Sequence, residues 1–117
     1  GENANVGWNC TIAATSTIRI GRDNNIAAYS YIIGGGNYRV DDIEGPMCQN
    51  YDEAGKGGVV LGDDVWLGSH VAVLDGVTIE SGSVVASGST VTKNLPANSI
   101  NLGSPVKTVR LREGYDT

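Results

Sequence analysis

Half of the basic side chains in this 117-residue chain fall in one segment that contains no acidic residue. The segment runs from Ser81 to Arg112, and its cations are Lys93, Lys107, Arg110 and Arg112. Lysine and arginine bind phosphate groups through charge-assisted hydrogen bonds. In a chain with a net charge of −5, such a segment predicts a site for a phosphorylated ligand. The alternative is that these cations cover a solvated end of the fold, because charged runs usually lie on the surface.

A six-residue repeat from Leu61 to Pro96 precedes and overlaps this segment, and it must position the cations. First positions are all aliphatic, and fifth positions are small or aliphatic. The first positions are Leu61, Leu67, Val73, Ile79, Val85 and Val91, and the fifth positions are Val65, Val71, Val77, Ser83, Ser89 and Leu95. On an α-helix a six-residue step turns the side chain by about 240°, so these residues would share no face. In an extended chain an even step keeps one face, which predicts a β-solenoid with triangular coils of three six-residue sides.

A weaker form of the repeat precedes residue 38, and residues 8–37 divide into five further units. Their first positions include Ile20, Ile26 and Ile32, whereas Val6, Ile12 and Ile18 are offset by two residues, as fifth positions would be. The 29-residue interval from Ile32 to Leu61 is not a multiple of six. We therefore predict that residues 38–54 form a loop that leaves the solenoid, and loops of this length are usually functional or disordered.

The repeat ends after Pro96, and residues 97–117 are predicted to cap the last coil. In this cap a short strand or helical turn would pack Val106 and Val109 across the open end. We expect one all-β domain spanning residues 1–117. Because a small solenoid has open ends and exposes much of its surface, we also expect it to form oligomers.

The composition limits which classes of partner this chain is expected to bind. The net charge of −5 argues against nucleic acid or an anionic membrane as the main partner. No apolar run approaches the roughly 18 residues of a membrane span, and no signal peptide is visible. Cys10 and Cys48 lie in unrelated contexts and fit reduced thiols in a cytoplasm. The glycine at position 1 leaves open whether an N-terminal segment is missing.

The repeat resembles that of the hexapeptide-repeat acyltransferases. GDDVWLGSHVAVLDGVTI and SGSTVTKNLPANSINLGSPVKTVR are similar to their galactoside, maltose and xenobiotic O-acetyltransferase branch. The resemblance implies a left-handed parallel β-helix, an exception to the usual right-handed crossover. It also implies a homotrimer that transfers an acetyl group from acetyl-CoA directly to a sugar or another small hydroxylated acceptor.

The resemblance further implies which residues bind the two substrates. The acetyl-CoA contacts would be Trp66, Ser69, Ser87, Thr92, Lys93, Lys107 and Arg110. The acceptor would lie beside Asn37, Tyr38 and the loop, including Asp41 and Asp42. No metal is expected. The γ-class carbonic anhydrases share this fold but need three zinc-binding histidines, and this chain has one histidine.

The chain departs from the family at the position of the general base. The family's catalytic histidine ends a Gly-Gly-x-Asn-His-like run, and here the run is GGGNY, with Tyr38 in its place. Phenols titrate near pH 10, so tyrosine is a poor base at neutral pH. His70 and the Asp41–Asp42 pair are alternative bases, although an exposed surface histidine is the plainer interpretation of His70. The rival function is a catalytically silent trimeric scaffold that binds a ligand or a protein partner.

Overall fold

The computed structural model describes residues 1–115, which contain thirteen short β-strands and one 3₁₀ turn at Met47–Gln49. The strands are β1 (Asn5–Val6), β2 (Thr11–Ala14), β3 (Ile18–Ile20), β4 (Asn25–Ile26), β5 (Tyr31–Gly34), β6 (Val59–Leu61), β7 (Trp66–Leu67), β8 (Ala72–Val73), β9 (Thr78–Ile79), β10 (Val84–Val85), β11 (Thr90–Val91), β12 (Ser99–Leu102) and β13 (Lys107–Leu111).

Successive strands fall in turn on three sheets, which form the faces of a triangular coil. The first face is β1-β4-β7-β10-β12-β13, the second is β2-β5-β8-β11, and the third is β3-β6-β9. All pairs are parallel except β12 with β13, which is antiparallel. We call the turns between the first and second faces the first corner, and those between the second and third faces the second corner. The predicted parallel β-helix is confirmed.

The interior is filled by the repeat positions. All twelve first- and fifth-position side chains between Leu61 and Leu95 are at most 2% exposed. Three first-position residues stack in register on their counterparts in the next coil: Leu61 on Ile79, Leu67 on Val85 and Val73 on Val91. Leu95, predicted as a fifth position, pairs in register with Ile79 and therefore occupies a first position. Burying a branched aliphatic side chain in this way contributes about 1.5–3 kcal/mol.

Ile79→Ala should lower the free energy of unfolding by about 2–5 kcal/mol, measured by urea denaturation, because it leaves a cavity between Leu61 and Leu95. The matched control is Val60→Ala, since Val60 lies on the same face with its side chain outside the coil. Val60→Ala should lower the free energy of unfolding by only about 0.5 kcal/mol. Equal losses from the two variants would contradict this assignment of inside and outside.

The first coil departs from the predicted phase. Val6 pairs in register with Ile26, and Ile12 pairs with Ile32, so both are first positions rather than fifth positions. The offset arises because eight residues, not six, separate Ile12 from Ile20. The two additional residues lie in the corner that precedes β3, where Ser16 Oγ donates a hydrogen bond to Gly34 O at 2.9 Å.

The predicted loop is confirmed and is wider than residues 38–54. It leaves after β5 and returns at β6, at the second corner of the second coil. Its arms form a short hairpin, with an antiparallel bridge between Tyr38 and Tyr51. Arg39 N donates to Asn50 O, and Asp52 N donates to Asn37 O, both at 2.8 Å. The loop therefore has a defined base next to the β-helix.

The C-terminal segment adds β13 antiparallel to the edge of the first face. Val106 is 1% exposed, as predicted, but the prediction that Val109 packs across the open end is wrong, since it is 56% exposed. The reason is that β13 extends a sheet instead of crossing the last coil, and all its residues from Lys107 to Arg110 are exposed.

Candidate functional site

The loop base places Asn37 and Tyr38 together at the second corner. Asn37 is half-buried, and its Nδ2 donates to Asp75 Oδ2 at 2.9 Å, which joins the loop to the corner of the third coil. Tyr38 is half-exposed, and its ring meets that of Tyr51 edge-on at 5.5 Å between centroids. The structure thus gathers the Asn-Tyr pair in a defined position beside the β-helix.

Asp41 and Asp42 lie further out along the hairpin, and both are exposed. The pairing of Arg39 with Asn50 directs the chain away from the loop base before it reaches them. Asp42 has a left-handed φ of 49°, and its carbonyl accepts a hydrogen bond from Arg39 Nη2 at 3.4 Å. Among residues 1–115, neither aspartate forms a hydrogen bond with the Asn37 side chain, whose partner is Asp75.

The second corner also carries two of the predicted carrier contacts. Thr92 and Lys93 follow β11 and are exposed at this corner in the fourth coil. Asp75 occupies the corner of the third coil, and the loop occupies that of the second. One edge of the β-helix therefore carries the loop base, Asp75 and Lys93 in successive coils.

Ser69, His70 and Ser87 lie at the first corner. Gly88 N donates to Ser69 O at 3.0 Å, so the turns containing Ser69 and Ser87 stack on each other. His70 is exposed, with a φ of 58°, and stacks on the Tyr29 ring at 5.1 Å. The second face separates this corner from the loop base, so one chain does not bring His70 to Tyr38.

The remaining predicted contacts lie on the first face. Trp66 is exposed in a row whose register continues through Val84 and Ile100 to Arg110. Lys107 pairs with Leu102 at the other end of β13. Lys107 and Arg110 are both exposed.

Arg112 differs from the other three cations because the cap uses it. Its Nη1 donates to Gly82 O at 3.0 Å and lies 3.9 Å from Asp64 Oδ2. Its guanidinium also lies 4.7 Å above the centre of the Tyr115 ring. Of the four cations in the acid-free segment, Lys93, Lys107 and Arg110 are therefore the better placed to bind an anion.

Sequence reasoning missed two residues that define the loop base. Asp75 is 8% exposed and accepts three N–H groups from the loop. The Tyr51 hydroxyl accepts a hydrogen bond from Gly36 N at 3.3 Å and shares one with Thr15 Oγ1 at 2.9 Å. No sequence pattern indicated either residue. For Asp75 the reason is that an Asp-Gly pair in a repeat also suits a plain corner.

A shallow concavity of about 310 Å³ lies on the third face, beside Val60, Thr78 and Glu80. It touches none of the predicted site residues. Among residues 1–115, no group of three histidine, cysteine or acidic side chains is arranged to hold a metal ion. Within the same range, no helix has the length and apolar character needed to cross a bilayer.

Comparison with known proteins connects these features to one family. A family model for bacterial transferase hexapeptide repeats, six in number, matches residues 58–93. Galactoside O-acetyltransferase from Escherichia coli K12 is 33% identical over 110 residues, covering 94% of this chain and 52% of the relative. A Schizosaccharomyces pombe protein is 36% identical over 109 residues, covering 88% of this chain and 47% of that protein. The chain spans about half or less of the length of the curated relatives it matches.

Two solved acyltransferase structures are also similar to this chain. A galactoside acetyltransferase in complex with coenzyme A superimposes with a TM-score of 0.72 at 27% identity, covering 95% of this chain and 63% of that one. The N-acyltransferase AntD from Bacillus cereus, in complex with a dTDP-amino sugar and coenzyme A, gives 0.69 at 25% identity. That match covers 94% of this chain and 64% of the other.

Proposed function

Because this chain belongs to the hexapeptide-repeat family of left-handed parallel β-helices, we propose that it is an acyl-CoA-dependent O-acetyltransferase. Its acceptor is a sugar or another small hydroxylated molecule. The observation that carries the proposal is the second corner, where the base of the loop, with Asn37 and Tyr38, shares one edge with Thr92 and Lys93. An acceptor bound by the loop and a carrier bound by the cation would meet there. The names of the galactoside O-acetyltransferase relative and of the coenzyme A complex support this assignment.

The carrier site is proposed from the charge and the small side chains. Lys93, Lys107 and Arg110 are exposed cations that suit the phosphates of acetyl-CoA. Ser69 and Ser87 offer hydroxyl groups at the first corner for the amides of the pantetheine arm.

The proposed contacts occupy two different corners of one chain, so a single copy does not gather them. A groove between the first corner of one copy and the second corner of the next would bring both sets together. We therefore include in the proposal a homotrimer with its sites between subunits. In that groove Trp66, which is exposed on the first face, would pack beside the carrier.

In the proposed reaction the acceptor hydroxyl oxygen attacks the thioester carbonyl carbon within a ternary complex. A C–O bond forms, the C–S bond breaks, and the hydroxyl proton leaves so that coenzyme A departs as the thiol. Tyr38 stands where a histidine base would accept that proton, and the absence of a positioned base typically costs about 10²–10⁴ in rate. The protein is therefore proposed to be a slow enzyme. Tyr38 is also the observation that favours the second candidate, a scaffold without turnover.

A thiol-release assay distinguishes these two candidates. Wild-type protein with acetyl-CoA should release free thiol faster in the presence of at least one member of a panel of sugars and hydroxylated amphiphiles than without an acceptor. Mass spectrometry should then find one acetyl ester on that acceptor. If protein that binds acetyl-CoA releases no additional thiol with any acceptor, the transferase proposal fails and the scaffold remains.

A further inference from the structure

Asp75 is a buried carboxylate that the proposed reaction does not use. It is 8% exposed and lies at the second corner of the third coil. Burying a carboxylate is costly unless hydrogen bonds replace its water. Here Gly58 N donates to Oδ1 at 2.7 Å, and Lys56 N donates to Oδ2 at 2.7 Å. The Asn37 amide donates to Oδ2 at 2.9 Å.

These donors come from both arms of the loop, since Asn37 lies on the outgoing arm and Lys56 and Gly58 lie on the returning arm. The returning arm can wrap the carboxylate because Gly58 has a left-handed φ of 85°, which a side chain would disfavour. Gly76 N also donates to Gly58 O at 2.7 Å. One carboxylate therefore closes the loop onto the β-helix.

The bond to Asp75 also fixes which way the Asn37 amide faces. Its nitrogen donates one N–H to the carboxylate, which orients the amide and leaves its oxygen to accept a hydrogen bond. A substrate hydroxyl is a donor that such an oxygen can bind. Resting on the function proposed above, we propose that Asp75 is a positioning residue that presents the Asn37 amide oxygen to the acceptor hydroxyl.

The test is Asp75→Asn, because a carboxamide nearly preserves the shape but replaces one acceptor oxygen with a donor group. Its NH₂ would oppose the N–H groups of the loop, and Asn37 would lose its fixed orientation. The KM for the acceptor should rise about 10- to 100-fold, as expected for a misplaced substrate contact. The KM for acetyl-CoA should stay within about twofold, because the three hydrogen bonds of Asp75 go to Asn37, Lys56 and Gly58 and to none of the proposed carrier contacts.

A double-mutant cycle separates positioning from general loosening. In an Asn37→Ala background, Asp75→Asn should have little further effect on the acceptor KM, because the residue through which it acts is gone. Thr15→Val is the matched control, since it removes the hydrogen bond to Tyr51 on the other side of the loop and leaves Asp75 intact. An unchanged acceptor KM in Asp75→Asn would overturn the proposal, as would an equal loss in the Asn37→Ala background.

Hydrogen exchange followed by NMR tests the anchor without relying on turnover. In wild type, exchange should be slow at three sites: the Lys56 and Gly58 amides and the Asn37 side-chain NH₂. Asp75→Asn should raise the exchange rates at these sites by at least about tenfold. Thr15→Val should leave these three sites protected. Unprotected sites in wild type would overturn the proposal about Asp75, whereas failure to bind acetyl-CoA would overturn the proposed function instead.

Discussion

Replacing Tyr38 with histidine should raise the rate of acetyl transfer by about 10²–10⁴-fold. Tyr38 sits at the loop base beside Asn37, where an imidazole could take the proton from the acceptor hydroxyl. The gain should depend on pH. Because only the neutral imidazole acts as a base, the rate of the Tyr38→His variant should rise with pH through about 6.5 and then level off. Steady-state thiol release measures both effects.

The matched control for Tyr38→His is Tyr31→His, which places the same side chain on the outer surface of the second face, away from the loop base. This variant should show no gain. If Tyr38→His binds acetyl-CoA and remains as slow as wild type, the interpretation of Tyr38 as a lost base is wrong. Rapid turnover by wild type that survives His70→Ala would contradict it as well.

Reversing the charge of two exposed cations, Lys93→Glu with Arg110→Glu, should raise the Kd for acetyl-CoA by at least about 100-fold. Each substitution removes a charge-assisted hydrogen bond to phosphate, which is worth about 1.5–3 kcal/mol, and adds repulsion. Calorimetric titration measures the affinity. Wild-type binding should also weaken as salt is added, because exposed charges are screened.

The control for this charge reversal is Arg19→Glu, which makes the same change on the third face, away from all proposed contacts. It should alter the Kd by no more than about twofold. Equal weakening by Arg19→Glu would show that net charge, not a local site, controls binding. No weakening by the double variant would support the alternative that these cations merely cover a solvated end.

The β-helix could be predicted from the sequence because its core obeys a strict period. From Leu61 to Leu95 every inside position is small or aliphatic. In an extended chain an even repeat places these positions on the same face. Upstream, the same period is obscured because Asn24 and Ser30 occupy inside positions. Their polar atoms are satisfied there by the backbone, as in the 2.6 Å bond from Val65 N to Asn24 Oδ1.

The phase of the first coil could not be predicted for a related reason. Two additional residues in a corner shift every later position by two, and the shifted series of Val6 and Ile12 imitates a regular fifth position. Corners are solvent-exposed turns that tolerate such insertions, so the sequence carries no signal that separates the two interpretations.

The candidate site was predictable only where local sequence fixes it. The GGGNY run placed Asn37 and Tyr38 next to the departure of the loop, and the structure puts them at its base. The role of Asp75 depends on how residues 55–58 return to the β-helix, which no local pattern specifies. Likewise, no local pattern in the sequence indicates that Arg112 pairs with Gly82 and Asp64.

Thermal unfolding with and without acetyl-CoA tests the central claim most directly, namely that the outside of this β-helix binds a phosphorylated acyl carrier. At a hundredfold excess over Kd, acetyl-CoA should stabilise the protein by about 2.7 kcal/mol, with a melting temperature that rises and saturates with ligand concentration. At the same concentration the Lys93→Glu, Arg110→Glu variant, with a Kd at least about 100-fold higher, should be stabilised by no more than about 0.4 kcal/mol. An unchanged melting temperature for wild type at millimolar acetyl-CoA would contradict both the transferase and a scaffold that binds this carrier.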